Sequence, residues 1–264
     1  MDLETLIYEA RDHVAVVTLN RPERHNSFDD TMQRELSQVW QHIKADDDIR
    51  VAVLTAAGTK AFCTGIDREG IPTTAESFTF DPYTYDDPGK SIGPRSQELW
   101  KPVIAAVNGM ACGGAFYLLG ESDVIIASEN ASFFDPHVTY GMPAVFEPVL
   151  MLPRMPFGDL MRMTLTGAAE RIGAETAMRL GLVSEVVPSE ELLDTALALA
   201  ELIASNPPAA VQASLRTVWA ARDLSAQQMQ SLGNLFLSTA MTVENLAGGQ
   251  ATFSSGQRAK PRTR

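Results

Sequence analysis

Apolar residues along this chain keep two different periods. Short β-branched runs recur at HVAVVTLN (13–20), VAVLTA (51–56), VIAAVN (103–108) and VIIAS (124–128), each closed by polar or small residues. Such unbroken runs predict strands buried on both faces. Between the first two, DDTMQRELSQVWQHIKADDD sets Met32, Leu36, Val39, Trp40 and Ile43 at helical spacing, with Asp29 or Asp30 available as N-cap. Strand, helix, strand implies a right-handed crossover. The unit recurs without a fixed sequence period, which predicts an α/β stack of strand-rich turns and not a true repeat array.

From residue 157 the pattern turns helical: FGDLMRMTLTG, IGAETAMRLG, the run from Glu190 to Ala204, PAAVQASLRTVWAAR, and Ser225 to Leu246, with one further strand signal at LVSEVV (182–187). The expected organisation is an α/β core over residues 1–200 and a helical segment with a basic tail over 201–264. Residues 71–93, IPTTAESFTFDPYTYDDPGKSIG, hold three prolines, four acids and four aromatics and keep neither period. A connection of that length reads as a lid over a site or as disorder. The last eleven residues, SSGQRAKPRTR, carry four basic groups and no acid, as a solvated tail or a phosphate contact would.

Composition narrows the partners. Among 264 residues, 33 acids against 21 Lys and Arg give a formal charge of -12, a field that repels nucleic acid and anionic lipid. Residues 102–120, PVIAAVNGMACGGAFYLLG, are uncharged and approach a membrane span in length, but Asn108-Gly109 and Gly113-Gly114 punctuate them as a strand, turn and short helix of a protein core. The charged start, MDLETLIYEARDH, has no apolar signal region, and the expectation is a cytoplasmic protein. Cys63 and Cys112 fit buried, reduced thiols. His13, His25 and His42 show no metal spacing, and no metal is expected.

Two glycine turns carry the candidate chemistry. Gly113-Gly114 follows a strand and opens a helix, leaving backbone N–H groups free to meet an anion; a tight packing turn would use the same residues. It matches neither dinucleotide nor Walker phosphate loops. After VAVLTA, AAGTKAFCTGID (56–67) repeats the arrangement at Thr64-Gly65-Ile66, so two such turns could face one pocket.

The chain resembles the crotonase (enoyl-CoA hydratase/isomerase) superfamily in LNRPERHNSFDDTMQREL (19–36), VAVLTAAGTKAFCTGID (51–67), KPVIAAVNGMACGGAFYLLGESDVIIASENASFF (101–134) and LTGAAERIGAETAMRLGLVSEVVP (165–188). The resemblance implies a spiral of strand-strand-helix turns with a C-terminal helical segment that builds a homotrimer or dimer of trimers. It also implies an acyl-CoA thioester substrate, with coenzyme A part of the substrate and no separate cofactor. The amides of Ile66 and Gly114 would hold the thioester oxygen as it becomes an enolate, each donor contributing about 3–4 kcal/mol. Arg24, Lys60, Ala61 and Cys63 would line the coenzyme A path.

Where hydratases of the family carry two glutamates, this chain has Tyr117 and His137. A phenol with a pKa of about 10 is no base at neutral pH, whereas an imidazole of about 6.5 is. His137 is therefore the candidate base, or else a structural histidine bonded to Asp135. Tyr117 is a hydrogen-bond donor or a packed aromatic. Asp67, Asp135 and Glu147 are supporting acids, Glu147 conspicuous in the apolar stretch GMPAVFEPVLML. Three functions remain open: an enoyl-CoA hydratase/isomerase-type enzyme, a retro-Claisen hydrolase of a β-dicarbonyl compound, and a non-catalytic CoA-ligand-binding protein.

Overall fold

The computed structural model describes residues 1–70, 83, 84, 87–256, 261 and 263. Most of the expected lid at 71–93, and all four basic residues of the tail, lie outside these. The chain divides into two compact units, Met1–Ala204 and Ser205–Arg264.

The first unit opens with β1 (Leu6–Arg11) antiparallel to β2 (Val14–Leu19). Asp12 and His13 join them at φ 51° and 70°, the left-handed pair that a two-residue hairpin turn needs to follow strand twist. Then come α1 (Asp30–Ala45), β3 (Val51–Ala56), β4 (Ala61–Cys63), α2 (Gly89–Ile92), β5 (Val103–Val107), β6 (Met110–Cys112), α3 (Ala115–Glu121), β7 (Val124–Ser128) and β8 (Ser132–Phe134). A 3-10 turn at His137–Tyr140 precedes α4 (Phe146–Met151), α5 (Phe157–Thr166), β9 (Ile172–Gly173), α6 (Ala174–Leu180), β10 (Glu185–Val187) and α7 (Leu192–Ala204).

Two sheets result. One has the order β1-β2-β3-β5-β7-β10 and is parallel beyond its first pair; the other runs β4-β6-β8-β9. Each of three successive turns of the spiral gives one strand to each sheet: β3 and β4, β5 and β6, β7 and β8. Both faces of the larger sheet are covered, which is why its strands read as unbroken apolar runs. On one side Val51, Val53, Ile104 and Ile126 meet Leu192, Ala196 and Ala200 of α7. On the other, Leu54, Val103 and Val107 join Met32, Leu36, Trp40 and Ile43 of α1 and the α3 residues Phe116 and Leu119, each large side chain contributing about 1.5–3 kcal/mol by leaving water.

Polar side chains fix the ends of α1. Asp29 accepts from Met32 N at 2.9 Å as N-cap. The buried Lys101 ammonium donates to Ile43 O at 2.7 Å and Asp46 O at 2.6 Å, satisfying carbonyls at the other end. Trp40 Nε1 donates to Ile92 O at 2.7 Å, tying α1 to α2.

The structure adds three details to the sequence reading. The charged start forms strand β1, whose largely exposed residues suit a sheet edge. The uncharged 102–120 stretch is core, yet a second strand, β6, stands between β5 and α3. Ser225 to Leu246 is not one helix: α9 (Ala226–Ser238) stops, and α10 (Val243–Ser254) restarts from Thr242, whose side chain accepts from Asn245 N. With α8 (Pro208–Asp223) these helices make up the second unit. Among the described residues no helix is long and apolar enough to cross a membrane.

Candidate functional site

Strands β4, β6 and β8 are adjacent and parallel, so the turns that leave them lie at the same end of one sheet. A cavity of about 480 Å³ opens there. Its wall includes Ile66 from the first turn, Gly113 and Gly114 from the second, and His137 after the third.

The first turn is strapped to Phe28 by a parallel bridge: Phe28 N donates to Gly65 O and Asp67 N donates to Phe28 O, both at 2.8 Å. In that pattern the central residue faces its own N–H the other way. The Ile66 amide accordingly has no acceptor among the described residues. Gly65 holds the turn at φ +83°, and a Cβ built on it would stand 2.7 Å from Gly114 N. The two turns therefore touch through backbone, and the Gly114 amide likewise has no acceptor among the described residues. A Cβ on Gly114 would fall 2.7 Å from the Phe28 ring, so a buried aromatic floor supports both. Asn26, itself buried, braces the approach by donating to Ala57 O at 3.0 Å and Ala61 O at 2.9 Å while accepting from Arg21 N at 2.9 Å.

Opposite the amides sits a string of side chains. A Cβ on Gly113 would lie 3.6 Å from His137 Cε1, which places the imidazole beside the second turn. Its Nδ1 is 2.5 Å from Asp135 Oδ1, and the same oxygen accepts from His137 N at 3.0 Å. Asp135 is buried, so Nδ1 carries its proton toward the carboxylate and Nε2 faces the cavity. That hydrogen bond to Asp135 raises the His137 pKa, with the Glu147 and Asp135 charges adding to it; burial and the Arg68 guanidinium act against it. Nε2 lies 3.4 Å from Glu147 Oε1. Glu147, in the first turn of α4, is only 5 % exposed. Burial raises its carboxyl above the ordinary range, against the pull of its own amide, His137 and Tyr117.

Tyr117 lies in the first turn of α3. Its ring is buried against α2, where Gly89 has no Cβ to obstruct it. The Glu147 and Asp87 carboxylates both act on its hydroxyl. Burial first, then these two acids, push the phenol far above its usual range, so the hydroxyl keeps its proton.

Of the other expected residues, Asp67 lines the cavity but pairs with Arg21 at 2.9 Å. Burial would raise its carboxyl, yet the Glu69 amide and Arg21 together hold it below the usual range. Arg24, Lys60, Ala61 and Cys63 do not line the cavity. Arg24 meets Glu69 at 2.5 Å on the surface, Lys60 is exposed, and the Ala61 and Cys63 side chains are buried in β4. Both cysteines are free, and burial pushes each thiol up to about 12.

Sequence reasoning passed over Phe28, Arg21, Asp87 and two arginines of the wall, Arg68 and Arg171. Arg68 stacks 4.2 Å over Tyr140 and Arg171 4.3 Å over Phe134. Only Arg21 and Phe28 left a trace, since both fall within the NRPERHNSF turn; nothing local marks the others.

Comparison with known proteins identifies the family and the fold. The enoyl-CoA hydratase/isomerase family model matches residues 9–254. The chain is 40 % identical over 254 residues, 96 % of either chain, to (E)-benzylidenesuccinyl-CoA hydratase of Thauera aromatica. It is 37 % identical over 218 residues, covering 83 % of this chain and 82 % of the relative, to a short-chain-enoyl-CoA hydratase of Clostridium acetobutylicum. The crystal structure of an enoyl-CoA hydratase/isomerase from Mycobacterium paratuberculosis superposes with a TM-score of 0.87 at 32 % identity, over 99 % of both chains. In sequence and in fold, the chain belongs to the enoyl-CoA hydratase/isomerase family of the crotonase superfamily.

Proposed function

We propose that the protein hydrates α,β-unsaturated acyl-CoA thioesters, or dehydrates their 3-hydroxy products, through a thioester enolate. The observation that carries this reading is the contact between two turns whose amides, Ile66 and Gly114, have no acceptor among the described residues and border the cavity that His137 faces. A neutral carbonyl oxygen placed between them gains negative charge as water adds at Cβ, and fixed N–H dipoles hold the anion more tightly than the neutral thioester. His137 is the acid–base group that exchanges the Cα proton, Asp135 orients it, and Tyr117 acts through its hydroxyl.

Arg24 and Lys60 are assigned to the coenzyme A phosphates, and the backbone at Ala61 and Cys63 to its pantetheine arm. Exposed apolar residues of the second unit, such as Val218, Leu235 and Phe253, are assigned to contacts between copies in a homotrimer or dimer of trimers, in the cytoplasm.

A panel of 2-enoyl-CoA thioesters, linear, aryl-substituted and dicarboxylic, tests the reading by loss of the conjugated thioester absorbance. Turnover by the protein and its loss in His137→Ala are expected. Cleavage of CoA-free β-diketones with no thioester turnover would replace it by retro-Claisen hydrolysis. Tight CoA binding without any turnover would leave a binding protein.

A further inference from the structure

The site has an acid that the two-position comparison of Tyr117 and His137 does not account for. Glu147 belongs to α4, an otherwise apolar element, yet its carboxylate reaches the cavity wall between Tyr117 and His137. We infer that Glu147 is a catalytic residue: it takes the proton from the attacking water and then returns it to His137, so that a carboxylate from α4 completes an acid–base pair that neither Tyr117 nor His137 forms alone. This rests on the hydratase reading above.

Three observations carry the assignment. Glu147 Oε1 is 3.4 Å from His137 Nε2, the one ring nitrogen not engaged by Asp135. The Tyr117 hydroxyl and the Glu147 carboxylate border the same cavity and act on each other electrostatically. The group is buried yet borders the cavity, and a carboxylate withdrawn from solvent is retained only where something compensates it.

The step balances. The step starts from imidazolium and carboxylate: Asp135 favours the imidazolium, and His137 and Tyr117 oppose the burial that raises the Glu147 carboxyl. Water oxygen bonds to Cβ and gives its proton to Glu147; the π electrons of the Cα–Cβ bond move to form the enolate, whose oxygen rests on the Ile66 and Gly114 amides. The enolate then takes a proton at Cα from His137 Nε2, the thioester carbonyl re-forms, and both pair members are neutral. Transfer of the proton from Glu147 to Nε2 restores the starting charges. One water has been added and no proton exchanged with bulk solvent is required. The groups that set this balance are Asp135 and Arg68 around His137, and Asp135, Tyr117 and His137 around Glu147, with Asp87 also acting on the Tyr117 hydroxyl.

The test compares hydration with exchange of the Cα proton. Wild type, Glu147→Gln and His137→Ala are assayed on the best enoyl-CoA of the panel, and on the matching saturated acyl-CoA in deuterium oxide. Glu147→Gln should lose about 10²- to 10⁴-fold in hydration while still exchanging the Cα proton, a step that the neutral His137 imidazole performs without Glu147. His137→Ala should lose both. Should Glu147→Gln be poorly folded, Glu147→Asp serves instead, with intermediate hydration and intact exchange. Hydration by Glu147→Gln near the wild-type rate would overturn the assignment with the hydratase reading intact. Equal loss of hydration and exchange would reduce Glu147 to a residue that merely positions His137. Wild type inactive in both assays would instead remove the hydratase reading on which the assignment stands.

Discussion

Gly65→Ala should damage turnover far more than stability. Gly65 sits at φ +83°, where a Cβ costs about 1–2 kcal/mol in any protein. Here the same Cβ would also stand 2.7 Å from Gly114 N. That neighbour is backbone at the mouth of a buried helix, so relief comes only by separating the two turns. Loss of one aligned donor corresponds to about 2.7–4 kcal/mol, or about 10²- to 10³-fold in kcat. Gly181→Ala supplies the control: Gly181 ends α6 at φ +86°, and the nearest atom to its Cβ would be Arg154 O at 3.9 Å. It bears the conformational cost without the collision, and should lower Tm by about 2–8 °C while leaving kcat alone. Steady-state hydration kinetics and thermal melts on both variants separate the effects. A folded Gly65→Ala protein with kcat within about threefold of wild type would refute the idea that these turns form one charge-stabilising site.

Asp135→Asn tests the pH behaviour of the imidazole. Asp135 raises the His137 pKa, so the stability that the pair contributes is fully present below the unfolded-state value of about 6.5 and fades as pH climbs through the raised folded value. The gap in urea midpoint between wild type and Asp135→Asn should therefore be wider near about pH 6 than near about pH 9; a gap that widens with pH contradicts the assignment. Asn26→Ala should cost about 1–3 kcal/mol, because it strips partners from Arg21 N, Ala57 O and Ala61 O in a buried setting, and a denaturation curve unchanged from wild type would show the brace to be dispensable.

The long-period features were legible in the chain because burial repeats over many residues. Val51–Ala56 and Val103–Val107 are covered on both faces and read as unbroken apolar runs, and α1 announces itself through Met32, Leu36, Val39, Trp40 and Ile43. The three-residue strands AFC, MAC and SFF were not legible, since three positions cannot display a period and their pairing is decided by neighbours distant in sequence. In the same way Gly65 and Gly113-Gly114 declared turns but not their contact. Glu147 was visible only as an acid in apolar company. Its partners, His137 ten residues earlier and Tyr117 thirty earlier, are brought to it by the return of the chain from β8 into α4, which no local pattern encodes.

Because the turns carrying Ile66 and Gly114 leave neighbouring strands of one ladder, the hydrogen-bond spacing of a β-sheet, about 4.8 Å, acts as the ruler between them. Side chains cannot easily retune that distance, and nothing in the sheet needs them to. The groups proposed to handle protons have no such ruler: His137 follows a third strand, Glu147 rides a short helix, and Tyr117 a different one. On the proposed reading, the means of polarising a carbonyl is thus written into the backbone of one sheet, while the acids and bases around it depend on side chains from three separate elements.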